Sequence, residues 1–165
     1  MSQSQLKGKL RPSLLDRLTD DNPDQSREPR AGRDFSADKL REVVARDLSW
    51  LMNTTQLSVT QELTDYPLVE QSVLNYGVPD LAGKNISAVD VFGLQQNLKR
   101  SILHFEPRLI GDTLEVRLVQ QLKSKSHNCF TFEIKGELRA GPIPEKLSLR
   151  TQVNLENGSV SMVEE

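Results

Sequence analysis

The sequence predicts an α+β fold, with three helices followed by a small antiparallel sheet of about four strands and the helices packed on one face of it. Apolar residues recur at intervals of three and four before Gly111 and at intervals of two after it, as in amphipathic helices and half-buried strands. The strands follow one another without intervening helices, which favours antiparallel pairing. With 165 residues, 36% of them hydrophobic and 27% charged, the chain has the size and composition of one globular domain.

Residues 1–35 are predicted to form a mostly flexible N-terminal tail with one short amphipathic helix. Ser13 is a suitable N-cap for this helix. Its apolar face consists of three leucines: Leu14, Leu15 and Leu18. A helix this short is unstable alone, so the leucines are predicted to dock on the rest of the chain or on a partner. Residues 20–33 contain prolines and many charged residues and show no periodic spacing of apolar residues, which is typical of a linker.

Residues 36–165 are predicted to form the folded domain, which begins with a helix capped by Ser36. The apolar residues of this helix follow helical spacing: Leu40, Val43, Val44, Leu48 and Leu51. Trp50 lies near the end of this stripe and is predicted to belong to the core. A shorter helix is predicted from Leu68 to Tyr76, ending at Gly77, because glycine accepts the left-handed conformation that often terminates a helix.

A third helix is predicted from about Ser87 to His104. Ser87 and Asp90 have the spacing of a capping box at its start. Its apolar face again follows helical spacing: Val91, Leu94, Leu98, Ile102 and Phe105. Pro107 ends the helix, because the residue before a proline is displaced from the helical conformation.

Alternation of apolar and polar residues predicts the strands. The apolar positions of the first three strands are Leu114, Val116 and Leu118, then Phe130, Phe132 and Ile134, then Leu147, Leu149, Thr151, Val153 and Leu155. Asn157-Gly158 is a preferred type I′ turn sequence, so a hairpin is predicted to lead into a last strand at residues 159–163.

Composition and motifs exclude several classes of function. The net charge is -2 and no basic cluster stands out, which argues against nucleic-acid binding. Cys129 is the only cysteine, and neither His104 nor His127 has a metal-ligand spacing, so no metal and no cofactor are predicted. No apolar run reaches the roughly 18 residues that span a bilayer, and residues 1–10 lack the apolar stretch of a signal peptide. Direct membrane insertion is therefore not expected, and the expected location is cytoplasmic.

Glycoside hydrolysis is the enzymatic alternative, because it requires only two carboxylates that flank the scissile bond. The candidate carboxylates are Glu106, at the end of the third helix, and Asp112. A general acid must be protonated when it acts. Arg108 follows Glu106 closely and Lys99, Arg100 and His104 precede it, and these positive charges favour the ionised form of Glu106. We therefore predict no catalytic residue in this chain.

Three segments resemble a known family. Glu106-Pro107-Arg108, which follows an amphipathic helix and has apolar neighbours, is similar to the hallmark of phage-tail baseplate wedge proteins, a family often labelled lysozyme-like. Residues 13–18 and 72–81 resemble the TssE-type baseplate subunit of the type VI secretion system. A second Glu-Pro-Arg at residues 28–30 has neither a preceding helix nor apolar flanks, and we interpret it as coincidence.

The resemblance implies a structural subunit of a contractile type VI secretion apparatus, without catalytic activity and within a large hetero-oligomer. Its partners would be the other baseplate wedge subunits and the sheath heterodimer. Glu106, Pro107 and Arg108 would bind a partner through a corner that the proline stiffens. The alternative is an ion pair between Glu106 and Arg108 within the chain. The residues alone favour neither the ion pair nor the partner contact.

The resemblance also implies that the sheet is similar to the handshake region of the contractile sheath protein. An open edge strand would accept a strand from the sheath and so initiate its assembly. The open edge is predicted at residues 113–123 or in the hairpin at residues 146–156. Two alternatives to this function remain, a peptidoglycan hydrolase and a generic cytoplasmic interaction adaptor.

Overall fold

The computed structural model describes residues 12–19, 36–83, 89–124, 127–141 and 143–164. The predictions for the linker at residues 20–33, for Ser87 and for the second Glu-Pro-Arg at residues 28–30 lie outside these residues. The division of the chain into a tail, residues 1–35, and a domain, residues 36–165, stays a prediction.

The helices that the structure describes precede the sheet: α1 at Leu14–Leu18, α2 at Ala37–Met52, α3 at Pro67–Glu70 and α4 at Val91–Phe105. Both serine caps are where the sequence predicts them. Ser13 Oγ accepts from the Asp16 amide at 3.3 Å, and Ser36 Oγ accepts from the Lys39 amide at 3.1 Å. These bonds satisfy amides that have no partner within the first turn of a helix.

The predicted apolar stripe of α2 is confirmed, because all five of its residues are buried: Leu40, Val43, Val44, Leu48 and Leu51. The prediction that Trp50 belongs to the core is wrong, since its side chain is 48% exposed. At about 100° per residue, Trp50 points away from Leu48. Its ring instead packs under the guanidinium of Arg46, whose carbon lies 4.7 Å from the ring centroid.

The second predicted helix is split into α3 and a 3₁₀ turn at Val73–Asn75. Gly77 does not cap a helix; its φ is +134°, and a Cβ added there would lie 2.3 Å from the carbonyl oxygen of Thr54. The Val78 amide donates to the Thr54 carbonyl at 2.8 Å, and the Gln56 amide donates to the Val78 carbonyl at 3.1 Å. Glycine is therefore needed where two backbone segments approach closely.

Helix α4 begins at Val91, later than the sequence predicts. Asp90 is itself the N-cap, since its Oδ1 accepts from the Gly93 amide at 3.0 Å. It therefore does not stand at the third helical position, where a capping box would place it. The predicted inner face is confirmed at three buried positions: Leu94, Leu98 and Ile102.

The sheet contains β1 at Glu115–Ser124, β2 at His127–Leu138, β3 at Glu145–Asn154 and β4 at Val160–Glu164. Consecutive strands pair antiparallel in the order β1-β2-β3-β4. Helix α2 lies against β3 and β4, and α4 lies against β1. The α+β fold with a four-stranded antiparallel sheet is thus confirmed.

The core lies between the helices and one face of the sheet. The predicted inward residues of β2 and β3, and Leu155 after them, are all buried: Phe130, Phe132, Ile134, Leu147, Leu149, Thr151, Val153 and Leu155. The apolar ones form one cluster with the buried faces of α2 and α4. The other face of the sheet is charged, with Arg117 and Lys135 exposed. None of the described helices combines the length and apolarity needed to cross a membrane.

The hairpin between β3 and β4 exists, but its turn is not type I′. A type I′ turn requires positive φ at both central residues, and among the described residues only glycines have it. Asn157 Oδ1 accepts from the Ser159 amide at 2.9 Å, a local bond that Asn side chains form in turns. Gly158 alone enters the left-handed region, with φ +73°. Strand β3 ends at Asn154 and β4 begins at Val160, so the loop is longer than a two-residue type I′ turn.

The edges of the sheet are β1 and β4. One predicted location of the open edge, residues 113–123, contains most of β1. The other, residues 146–156, is mostly β3, which pairs on both sides and is therefore not an edge. The pairing of β1 with β2 shifts between Leu118 and Gln120, which leaves Val119 as an extra, exposed residue on the edge strand.

Candidate functional site

The chain turns from α4 into the sheet at Glu106-Pro107-Arg108, here called the corner. The Glu106 amide donates to the Ile102 carbonyl at 2.8 Å and so closes the last turn of α4. On the other side, the Arg139 amide donates to the Arg108 carbonyl, and the Ile110 amide donates to the Glu137 carbonyl, both at 2.8 Å. The corner is thus fastened both to α4 and to the end of β2.

The carboxylate of Glu106 lies inside the protein, only 3% exposed, and Arg108 binds it. Its Oε1 accepts from the Arg108 backbone amide at 3.1 Å and from Arg108 Nε at 2.6 Å. Arg108 Nη2 also donates to Oε2. The two-pronged contact satisfies a carboxylate that burial would otherwise destabilise. Glu106 and Arg108 therefore form an ion pair within the chain.

Asp47 of α2 extends this ion pair. Arg108 Nη2 donates to Asp47 Oδ2 at 2.6 Å. The other carboxylate oxygen of Asp47, Oδ1, accepts from Arg46 Nη2 at 2.8 Å and from Arg46 Nε at 3.0 Å. The corner is therefore held to α2 by side chains as well as by packing.

Arg46 connects this group to α1. Arg46 Nη1 donates to Asp16 Oδ1 at 2.5 Å, while Ser13 Oγ donates to Asp16 Oδ2 at the same distance. The result is an unbroken series of charged side chains of alternating sign, here called the ion chain: Glu106, Arg108, Asp47, Arg46 and Asp16. It joins α1, α2 and the corner.

The ion chain changes the acidity of its members and of a neighbour. Burial alone would lower the pKa of Arg108, but the hydrogen bonds and charges of Glu106 and Asp47 outweigh it and raise that pKa. The hydrogen bond from Arg46 lowers the pKa of Asp16 below its usual 3.8. Burial, and then the charges of Asp47 and Glu106, raise the pKa of the Tyr76 hydroxyl. Both arginines and Asp16 are therefore charged at neutral pH.

The environment of Glu106 does not suit acid catalysis. Both oxygens of Glu106 accept from Arg108, so the carboxylate offers no free face to a substrate. Pro107 and Asp112 are exposed, and Asp112 stands in a separate 3₁₀ turn at Gly111–Thr113. Within the described part of the chain, no group of three or more His, Cys, Asp or Glu side chains could hold a metal ion.

The predicted docking leucines of α1 point to solvent. Leu14 is 68% exposed, Leu15 49% and Leu18 75%. Helix α1 is attached to the rest of the chain through its polar side, by Asp16 and Arg46. The leucines therefore do not dock on the described parts of their own chain, and a partner is the remaining predicted acceptor.

Sequence reasoning missed Asp47, Arg46 and Asp16. Arg46 and Asp47 are adjacent on a helix that is otherwise amphipathic, where charged residues normally face solvent. Asp16 lies in the segment that resembles the baseplate family, but it carries no sign of a partner 30 positions away. Pairing over such distances along the chain produces no periodic pattern.

Residues 38–143 match the family model of baseplate wedge protein gp25. This match covers more than half of the chain and contains α4, the corner and all of α2 except its first residue. The chain belongs to the baseplate wedge family. No curated protein and no solved structure matches it.

Membership of the baseplate wedge family assigns the chain a structural role in a phage-tail-like baseplate. Proteins of this family assemble with other baseplate subunits and are generally not enzymes. The matched residues include the corner. The family resemblance that the sequence shows at Glu106-Pro107-Arg108 is thus confirmed.

Proposed function

We propose that this baseplate wedge protein belongs to a type VI secretion baseplate, where it links wedge subunits and initiates sheath assembly by strand addition. It acts in the cytoplasm within a large hetero-oligomer, bound to other wedge subunits and to the sheath heterodimer. It has no catalytic activity, does not insert into a membrane and does not bind nucleic acid. The observation that carries the proposal is the corner, whose exposed Pro107 lies between two residues of the ion chain, Glu106 and Arg108.

The corner supports docking because it is organised before a partner arrives. Pro107 fixes its own φ, and Arg108 is bound to both Glu106 and Asp47. A partner that contacts Pro107 and the 27% of the Arg108 side chain that is exposed has little to order on binding. In this proposal the ion pair within the chain shapes the corner, and the partner binds its outer side.

The leucine face of α1 supports a second contact with a wedge subunit. A helix that stabilised itself by packing would bury its leucines, whereas α1 binds through Asp16 and leaves them exposed. We propose that Leu14, Leu15 and Leu18 enter an apolar groove of a wedge partner, as in other helix-in-groove interfaces. The ion chain would hold α1 in place for this contact.

Strand β1 is the edge that best supports strand addition. It has 10 residues, against 5 in β4, and a longer ladder forms more backbone hydrogen bonds. Gln95 Nε2 donates to the Val116 carbonyl at 3.3 Å, which covers only the start of this edge. On β4, Asn53 already bonds both the amide and the carbonyl of Val160, each at 2.9 Å. The sheath strand is therefore proposed to pair with β1.

Co-purification of the full chain with wedge subunits tests the corner. Pro107→Ala leaves every member of the ion chain in place but removes the rigid exposed ring. We expect about 10-fold weaker incorporation, equivalent to about 1.4 kcal/mol, because the corner must then be ordered on binding. Thermal melting should change little, since Pro107 is exposed.

Pro29→Ala, in the second Glu-Pro-Arg at residues 28–30, is the matched control and should incorporate normally. Normal incorporation of Pro107→Ala would show that the corner is not the docking element. The same purification tests the alternative that the chain is a generic cytoplasmic interaction adaptor. An adaptor from outside an injection machine would bind neither wedge nor sheath proteins.

Sheath polymerisation on purified baseplates tests strand addition. Lysine on an edge strand discourages pairing with another chain, so Val119→Lys should enter the baseplate but fail to start a sheath. Ile143 is also an exposed apolar residue but lies outside the strands, so Ile143→Lys should start sheaths normally. Normal polymerisation on Val119→Lys baseplates would exclude β1 as the accepting edge.

A turbidity assay on cell-wall material tests the peptidoglycan hydrolase alternative. We expect no clearing by the purified chain, because Arg108 occupies both oxygens of Glu106. Clearing that is lost in Glu106→Gln would establish the hydrolase and overturn the structural role proposed here.

A further inference from the structure

The outer face of α4 carries positive charge that none of the described residues neutralises. Between Asp90 and Glu106 the sequence contains no acidic residue, and Lys99 and Arg100 lie near the middle of the helix. Neither side chain forms an ion pair with any residue in the described parts of the chain. These two cations are therefore available to a carboxylate from another molecule.

An open depression runs along this face. It is lined by Gln96, Lys99, Arg100, Leu103 and His104. From Gln96 to Leu103 the helix advances about 10 Å, or about two turns. This strip of α4 is thus long enough to contact two turns of a partner helix, with cations in its middle and Leu103 at one end.

A segment of exposed apolar residues is joined to the end of α4 by a hydrogen bond. Leu68 is 84% exposed, Val73 78% and Leu74 67%. His104 Nε2 donates to the Gln71 carbonyl at 2.6 Å, and Gln71 stands between Leu68 and Val73 in the chain. This bond therefore holds the apolar segment next to the end of α4 that carries Leu103.

We propose that these residues form a docking surface for an acidic amphipathic helix of a neighbouring protein. The surface, here called the α4 surface, consists of Leu68, Val73, Leu74, Lys99, Arg100 and Leu103. Carboxylates of the partner helix would pair with the two cations. Its apolar side chains would cover the four apolar residues of the α4 surface. A nucleic acid would satisfy the cations but leave the apolar residues uncovered, so a protein partner fits better.

The α4 surface goes beyond the function proposed above, because it shares no residue with the corner, with the leucine face of α1 or with β1. It adds a separate contact to those three. Loss of binding at this surface would leave the expected behaviour of Pro107→Ala and Val119→Lys unchanged. The two sets of experiments can therefore fail independently.

Fluorescence anisotropy with two synthetic peptides tests the proposal on the full chain. Both peptides are helical, with about 14 residues in four turns and identical leucines on one face. One carries glutamates on the remaining positions, and the other carries lysines. We expect the glutamate peptide to bind at least about 10-fold more tightly than the lysine peptide, because its charges complement Lys99 and Arg100.

Variants of the chain assign the binding to named residues. Lys99→Glu combined with Arg100→Glu should reverse the preference between the peptides, and Leu68→Ser combined with Leu74→Ser should weaken binding of both. The matched control is Lys39→Glu combined with Arg41→Glu, a basic pair on α2, exposed at Lys39 and half-buried at Arg41, that already binds acidic neighbours. This control should change binding by less than about 2-fold.

Several outcomes would overturn the proposal. Equal affinity for the two peptides would mean that charge does not select the partner, and absence of glutamate-peptide binding would remove the surface altogether. An equal loss in the α2 control would reveal a non-specific charge effect. The chain without peptide could sediment as a dimer. If Leu74→Ser dissociated that dimer, the occupant of the surface would be a second copy of the chain. Binding to anionic phospholipid vesicles without peptide binding would identify a membrane.

Discussion

Arg108 donates to Asp47 at 2.6 Å, and this one bond ties the corner to a helix 61 positions earlier in the chain. Through Arg46, the same aspartate is also connected to Asp16 of α1. Two proposed docking elements, the corner and the leucine face of α1, are thus fixed to α2 by a single series of ion pairs. Their relative position is therefore set before any partner binds.

Replacement of Arg108 by alanine should destabilise the fold strongly. Glu106 would keep its buried charge but lose its bonds to the guanidinium. Breaking a buried ion pair costs about 3–5 kcal/mol, and because Arg108 is partly exposed we expect about 3 kcal/mol. The free energy of unfolding in urea measures the loss.

Glu106→Gln combined with Arg108→Ala is the control for that interpretation. It removes the buried charge together with its partner, so it should recover a substantial part of the stability lost in Arg108→Ala. If the single and double variants are equally unstable, the cost comes from lost packing of the arginine and not from the unpaired carboxylate.

The elements with regular periodicity could be predicted from the sequence, and the contacts between them could not. Burial of Leu48 in α2 and of Phe132 in β2 follows from spacing, because one face of each element must be apolar. The partnership of Asp47 with Arg108 depends on how α2 crosses the corner, which spacing does not encode. Gly77 illustrates a third case: glycine signals an unusual backbone, but only the structure shows that the reason is Thr54.

The position of α1 should depend on Asp16. Asp16→Asn removes the negative charge that binds Arg46, so α1 should detach more often and trypsin should cleave after Arg17 faster. Asp38→Asn is the matched control, since it removes a different aspartate–arginine pair on the surface, with Arg41. Equal cleavage rates in the native chain and Asp16→Asn would show that the ion pair does not hold α1.

The contribution of Asp16 to stability should also depend on pH. Arg46 lowers the pKa of Asp16 in the folded chain below the usual 3.8, so the stabilisation is complete above that value and is lost as pH falls through the lowered pKa. Urea unfolding of the native chain and of Asp16→Asn should therefore differ by a constant amount above about pH 5 and converge in stronger acid. A difference that instead grew on acidification would contradict this assignment.

Gly77→Ala should cost far more than Gly83→Ala. Both glycines have positive φ, which is unfavourable for alanine by about 1–2 kcal/mol. A Cβ at position 83 would meet nothing within 4 Å, whereas at position 77 it would lie 2.3 Å from the Thr54 carbonyl oxygen. The urea midpoint should therefore fall modestly for Gly83→Ala and steeply for Gly77→Ala. Similar midpoints would mean that residues 54–56 can move aside at little cost.

Asn53 should protect the outer edge of β4. Its side-chain amide bonds both backbone groups of Val160, as a neighbouring strand would. Asn53→Ala removes both bonds, so we expect a loss of about 1 kcal/mol and faster hydrogen exchange of the Val160 amide, measured by NMR. Asn53→Asp keeps the acceptor for that amide but loses the donor, so its exchange rate should fall between the two. Unchanged exchange in Asn53→Ala would show that β4 is held by β3 and the core alone.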